Sequence, residues 1–144
     1  MDLPLMLSLL EGKDNSRAFA VLLELERLSD ESDALYPWLE HFARMVQNGS
    51  YAVRVRGFRL FCKQAQWDVD RKMDGLIEGA LSILTDERPT AVRQALAALH
   101  DVAQHKKNLH KVIRRHVKAI DVYHYKDTMQ SLLEKDIRDL LALV

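Results

Sequence analysis

Apolar residues recur every three or four positions along nearly the whole chain, and no stretch alternates apolar and polar as a half-buried strand would. That pattern predicts eight helices, over 2–11, 15–29, 34–48, 51–66, 70–85, 89–104, 107–120 and 127–143. The punctuation agrees with it. Asp14, Asn15 and Ser16 are capping residues ahead of the second helix. Ser32 or Asp33 caps the third, with Pro37 in its first turn. Asn48-Gly49 closes that helix and Ser50 is placed to cap the fourth. "TDERPT" ends the fifth, Pro89 stands near the start of the sixth, and Asp127-Thr128 opens the last.

The even-numbered helices begin near 15, 51, 89 and 127, at intervals of 36–38 residues. Ala52-Val53-Arg54 and Ala91-Val92-Arg93 share an offset of 39, and Leu60 and Leu99 keep it. One helical hairpin per period is the signature of a HEAT- or armadillo-like solenoid, because each hairpin leaves an apolar face that only its neighbours can cover. The expected fold is therefore an all-α superhelix of about four hairpins, forming one domain over 1–144. A four-helix bundle with decorations does not predict the shared offset.

Composition narrows the reading further. Five glycines and three prolines give little material for turns, so long helices with short connections are economical. The single Cys62 cannot form an internal disulfide and offers too few thiolates for a zinc or iron–sulfur site. A reducing, cytoplasmic setting fits that usage. No apolar run reaches the ~18–20 residues that span a bilayer. "MDLPLMLSLLEGKDNS" lacks a basic n-region and a small-residue cleavage site, so it reads as a first helix rather than a signal peptide. The net charge is zero, but residues 1–50 hold four bases against nine acids, a net of −5, which leaves +5 for the rest. Such asymmetry favours a charged partner or head-to-tail self-association.

The stretches "YAVRVRGF", "QAQWD", "AVRQALAAL" and "LLEKDI" resemble a family of short bacterial HEAT-like proteins. The resemblance runs over essentially the whole chain, from "LLEGKDNSRAFAVLLELERLS" to the end. It implies right-handed stacking of helical hairpins. Members often carry the label "SufBD protein", borrowed from iron–sulfur assembly scaffolds that themselves resemble β-helices. The family has no agreed function, so the resemblance transfers no catalytic residue.

The most conspicuous chemistry is "HKKNLHKVIRRHVK", residues 105–118. On a helical wheel Lys107, Lys111, Arg114, Arg115 and Lys118 fall within an arc of roughly 100°. Leu109, Val112, Ile113, Val117, Ala119 and Ile120 lie opposite. The stripe is a solvated face, expected on the outer layer of the solenoid, or a surface for an anionic partner. His105, His110 and His116 lack the i, i+4 spacing of paired metal ligands, and His116 falls within the apolar arc, where a packed, hydrogen-bonded ring is expected. His124 lies in an inter-helix turn.

The inner, concave layer is the expected binding surface. Arg56, Arg59 and Lys63 form a second basic stripe at i, i+3, i+7, and Arg93, Ala97 and His100 share the polar side of the sixth helix. Arg17, Glu24 and Arg27 make the N-terminal end mixed in sign. The bases would line a groove for acidic peptides or phosphates, or stand as independent surface charges. Arg54 and Asp136 face apolar arcs, so each needs a partner, most economically by bridging stacked hairpins. Trp67 is an anchor for the next hairpin unless it is exposed beside a basic groove.

No GxxxxGK[ST], HExxH, GxSxG or paired CxxC occurs. The expected function is a non-enzymatic protein-interaction module without cofactor, monomeric or weakly self-associating, whose partner has acidic character. The candidate binding residues are Arg54, Arg56, Arg59, Lys63, Trp67, Arg93 and His100. The alternative is a nucleic-acid-binding protein similar in architecture to HEAT-like DNA glycosylases. A third reading is self-assembly, acidic end to basic end.

Overall fold

The computed structural model describes residues 2–144. Among the described residues all regular structure is helical, in eight α-helices: α1 (Leu3–Leu10), α2 (Asn15–Glu31), α3 (Leu39–Met45), α4 (Tyr51–Lys63), α5 (Lys72–Ala80), α6 (Pro89–His105), α7 (His110–Lys118) and α8 (Asp127–Leu141). Single 3-10 turns lead into α3 and α7, continue α4 and α5, and precede α8. No helix of the described residues is long and apolar enough to cross a membrane.

Each predicted helix is present, and the differences lie at the ends. Asp14 caps α2 by accepting from Arg17 N at 3.1 Å. Ser50 occupies the cap position of α4, but its side chain makes no capping bond. The Arg54 guanidinium instead covers the carbonyls of Asn48 and Gly49 at 2.9 and 3.1 Å. The third helix opens as a 3-10 turn over Tyr36–Trp38, because Pro37 has no amide to donate and the first bond runs from Trp38 N to Leu35 O at 2.9 Å. The fifth helix starts at Lys72 rather than 70. Arg71 sits in the left-handed region at φ 59° and breaks the helical run. That conformation costs a non-glycine residue about 1–2 kcal/mol. The Asp68 carboxylate holds the turn by accepting from Met73 N at 3.2 Å.

The even-numbered helices contact one another in series, α2 on α4, α4 on α6 and α6 on α8. α3 packs on α4 and α5, and α7 packs on α8 and on the turn that ends α5. α4 and α6 are central. α4 buries Val53, Val55, Phe58, Leu60, Phe61 and Cys62, and the Phe58 and Phe61 rings stack at 6.3 Å. The two residues that share the offset of 39, Leu60 and Leu99, are both fully buried. Gly57 is where α3 meets α4: a Cβ there would stand 2.4 Å from Met45 Cβ and 2.8 Å from the Phe42 carbonyl. Only a residue without Cβ permits that approach.

Polar bonds cross between segments distant in sequence at both ends of the helices. Following the C-termini of α2, α4 and α6, Tyr36 Oη donates to Asp68 Oδ1 at 2.5 Å and Lys106 Nζ donates to Asp68 Oδ2 at 2.7 Å. Near the N-termini of α4, α6 and α8, Arg54 Nε donates to Asp86 Oδ2 at 2.8 Å and Tyr125 Oη donates to the Asp86 carbonyl at 2.5 Å. Arg54 thus bridges stacked helices, as its place on an apolar arc required.

Candidate interaction groove

The serial packing of α2, α4, α6 and α8 lays one face of each side by side, and charged side chains cross between them. On the α2–α4 boundary Arg59 forks onto Glu26, with Nη2 to Oε1 at 2.7 Å and Nε to Oε2 at 3.0 Å. The same guanidinium reaches Gln94 Oε1 on α6 at 3.1 Å. One turn along, Lys63 Nζ stands 2.9 Å from Asp30 and 3.7 Å from Asp101. On the α6–α8 boundary Arg93 Nε donates to Asp136 Oδ2 at 2.7 Å. Each base therefore has a carboxylate, and the face carries no surplus of positive charge.

Three depressions run along this face and share residues. One, of about 360 Å³, lies among Glu26, Arg59, Gln94, Ala97 and Asp101. A second, of about 260 Å³, extends from Arg59 and Gln94 to Phe19, Tyr51 and Val55. A third, of about 320 Å³, extends from Gln94 and Ala97 to Thr90, Arg93 and Asp136. Gln94 lines all three, so they adjoin one another in a grooved face across α2, α4, α6 and α8. Ala52, Ala97 and Ala98 keep it open because their side chains are short. At the α2 end Phe19 and Leu23, one turn apart, are 50% and 47% exposed. Tyr51 adds an exposed ring there, with the Arg88 guanidinium 4.4 Å over it.

The electrostatics of the groove centre follow from its crowding. Burial pushes the Asp101 carboxyl above the usual range; Lys63 opposes that, and the neighbouring Asp30 and Glu26 reinforce it. For Lys63 burial acts against the charge, but its bond to Asp30 and the nearby Asp101 outweigh it and raise its pKa. Three carboxylates sharing one ammonium and one guanidinium make a cluster in which hydrogen-bond partners can be exchanged.

The residues singled out from sequence distribute unevenly. Arg59 lies in the groove and Arg93 on its α8 side, while Lys63 stands beside it, reaching the groove-lining Asp101 at 3.7 Å. Arg56 does not join them in the open. It is 5% exposed, and its guanidinium donates to the Leu10 carbonyl and to Asn15 Oδ1, both at 2.8 Å, tying α4 to the α1–α2 connection. Burial accordingly lowers its pKa. Arg54 belongs to the opposite seam with Asp86. Trp67 is half-buried and its indole N–H donates to the Ser29 carbonyl at 2.8 Å, beside Gln66 Nε2 at 3.0 Å, so it anchors the end of α2. His100 is half-buried on the α8 side of α6, near Asp139. His116 packs as its wheel position requires, but its buried Nε2 has no hydrogen-bond partner, whereas the His110 ring meets the Ala103 carbonyl at 2.7 Å.

Sequence reasoning passed over Glu26, Asp30, Gln94, Asp101, Phe19 and Tyr51. A signal for the first two was present: Glu26 precedes Arg59 and Asp30 precedes Lys63 by 33 residues each, close to the repeat interval. A further cavity, of about 670 Å³, lies elsewhere, between α5 and α7.

No protein-family model matches the chain, and no curated protein or solved structure matches it at a significant level.

Proposed function

We propose that the chain is a non-enzymatic protein-interaction module, a small HEAT-like α-solenoid of about four hairpins that holds a peptide segment along the shared face of α2, α4, α6 and α8. The observation that carries the reading is that three depressions adjoin at Gln94, with exposed apolar side chains at their α2 end. The solenoid reading is supported by the sequence separation of the polar pairs that cross between helices. Tyr36–Asp68 and Arg54–Asp86 are 32 residues apart, Arg59–Gln94 35 and Asp68–Lys106 38, all near the interval read from the helix starts. A stack in which each hairpin meets mainly the next one has that regularity.

The bound segment places apolar side chains against Phe19, Leu23 and Tyr51. Its polar groups exchange into the pairs around Arg59 and Lys63. Because Arg59, Lys63 and Arg93 each already have a carboxylate, and the buried Arg56 is held by the Leu10 carbonyl and Asn15, a segment carrying both signs fits better than a purely acidic one. Selection of a random 16-residue peptide library on the intact protein tests this. Binders are expected that lose about tenfold or more in affinity to Gln94→Arg and to Phe19→Ser, the size of one lost anchor. A library yielding no binder, or binders indifferent to both changes, overturns the proposal.

A further inference from the structure

The cavity between α5 and α7 has a chemistry unlike that of the groove. Its floor is apolar, made by the nearly buried Ile77 of α5 and Leu109 of the turn before α7 with the half-buried Val112 of α7. One wall is the basic stripe of α7: Lys111, Arg114, Arg115 and Lys118 all line it. The other wall offers Asp74 and Glu78 from α5, and both are engaged. Asp74 meets Lys106 Nζ at 2.8 Å and accepts from Arg71 Nε and Asn108 Nδ2, each at 2.9 Å. Glu78 meets Arg115 at 2.5 Å, with both side chains 64% exposed, a pair that solvent leaves weak. Arg114 donates to the Val144 carbonyl. Lys111 and Lys118, together with Lys107 at the approach to the helix, make no ion pair among the described residues and are exposed.

An apolar floor beside two uncommitted lysines, Lys111 and Lys118, selects a ligand with apolar and anionic sides. We infer that the α5–α7 cavity is a docking site for an acidic amphipathic helix of a partner protein. Its aliphatic side chains would lie over Val112 and the thin exposed edge of Leu109, and its carboxylates would face Lys111, Arg115 and Lys118. Two observations favour this occupant over other anions. No aromatic ring lines the cavity, so a nucleic-acid base has nothing to stack on. The exposed Glu78 on the facing wall would meet the phosphates of a strand or of a lipid surface, whereas it can pair with a lysine on the far side of a helix. A concave site with an apolar floor is also where amphipathic helices are bound through i, i+3, i+4 and i+7 anchors.

The test uses the full chain and a synthetic 18-residue helical peptide with leucine at the anchor positions and glutamate flanking them. Binding is followed by fluorescence anisotropy, and its location by amide chemical shifts. Saturable binding is expected, with shifts confined to α5 and α7 and affinity falling as salt rises. Lys111→Glu with Lys118→Glu should weaken it by about tenfold or more, as like-charge juxtaposition does. Both lysines are exposed, so circular dichroism should show the fold and its melting unchanged. The same peptide with lysine in place of glutamate should not bind. Absence of binding, shifts elsewhere, or indifference to the double substitution overturns the inference. So does tighter binding of single-stranded DNA, or of vesicles containing anionic lipid, at the same lysines. Gln94→Arg should leave this interaction untouched, so failure here and failure of the groove reading are separate results.

Discussion

Replacing Lys106 by methionine is the sharpest test of how the stack is held. The Lys106 ammonium is buried, its side chain 7% exposed, between Asp68, whose side chain is fully buried, and Asp74. It donates to Asp68 Oδ2 at 2.7 Å and approaches Asp74 Oδ1 at 2.8 Å, off the hydrogen-bonding line of that oxygen. Methionine keeps the unbranched shape and removes the charge. Loss of one partner from a buried pair costs about 3–5 kcal/mol, because the other charge remains desolvated. The lower end applies. Asp68 keeps the Tyr36 hydroxyl and the Met73 amide, and Asp74 keeps Arg71 and Asn108. The expected loss is about 3 kcal/mol, or a fall in melting temperature of roughly 10 °C for a chain of this size.

Urea unfolding near neutral pH measures that loss, and a cycle with Asp68→Asn isolates the pair. Burial works against the Lys106 charge, but the adjoining Asp68 and Asp74 carboxylates outweigh it and raise its pKa. A base raised in the fold contributes in full below its unfolded pKa and loses that contribution as pH rises through the folded value, so the neutral measurement reads all of it. The double variant should be more stable than the two single losses add up to, with a coupling of about 1–3 kcal/mol. A loss below about 1 kcal/mol for Lys106→Met, or additivity within about 0.5 kcal/mol in the cycle, refutes the claim that this pair joins the hairpins.

Two further outcomes are expected. Gly57→Ala must push α3 and α4 apart at Met45 and Phe42, where backbone as well as side chain is met, and should cost about 1–3 kcal/mol in urea unfolding; a neutral effect would show that the two helices have room to separate. Asp101→Asn probes the groove centre. A carboxyl raised in the fold, here by burial first, binds its proton more readily folded than unfolded, so wild-type stability declines relative to the variant as pH rises from the usual carboxylate range through the raised value. Urea midpoints for both proteins from about pH 3 to 8 give the difference, and a wild type that gains on the variant over that range contradicts the assignment.

Helix count, helix type and the buried positions were legible because apolar residues at 3.6-residue spacing report local burial directly. Helix ends were less so. The start of α5 depends on Arg71 adopting a left-handed conformation that the Asp68 carboxylate supports from across the turn, and nothing in "DVDRK" announces it. The fate of individual charges was least legible. Arg56, Arg59 and Lys63 look alike on a wheel, yet Arg56 is sunk against the α1–α2 connection while the other two reach acids 33 residues earlier. A wheel gives direction around one axis and is blind to what the neighbouring helix offers. The repeat interval supplies that missing coordinate, and pairing opposite charges at that separation would have located Glu26 and Asp30.

The crossing pairs also bear on why this stack keeps one register. Apolar faces alone are permissive, since leucines and valines of neighbouring helices pack in several slips at similar cost. A buried or half-buried charge is not permissive, because a slip leaves it desolvated without a partner. Asp68 with Lys106 at one end of the helices, Asp86 with Arg54 at the other, and Glu26 with Arg59 between them fix α2, α4 and α6 at three heights. Such pairs add little to stability in excess of what apolar residues of equal volume would give, and their effect is to penalise the alternatives. The bases most visible in the sequence divide on the same ground. Those on α4 and α6 are consumed in tying neighbouring helices together, and surplus positive charge survives along α7, whose Lys111 and Lys118 have no carboxylate across the cavity left to meet them.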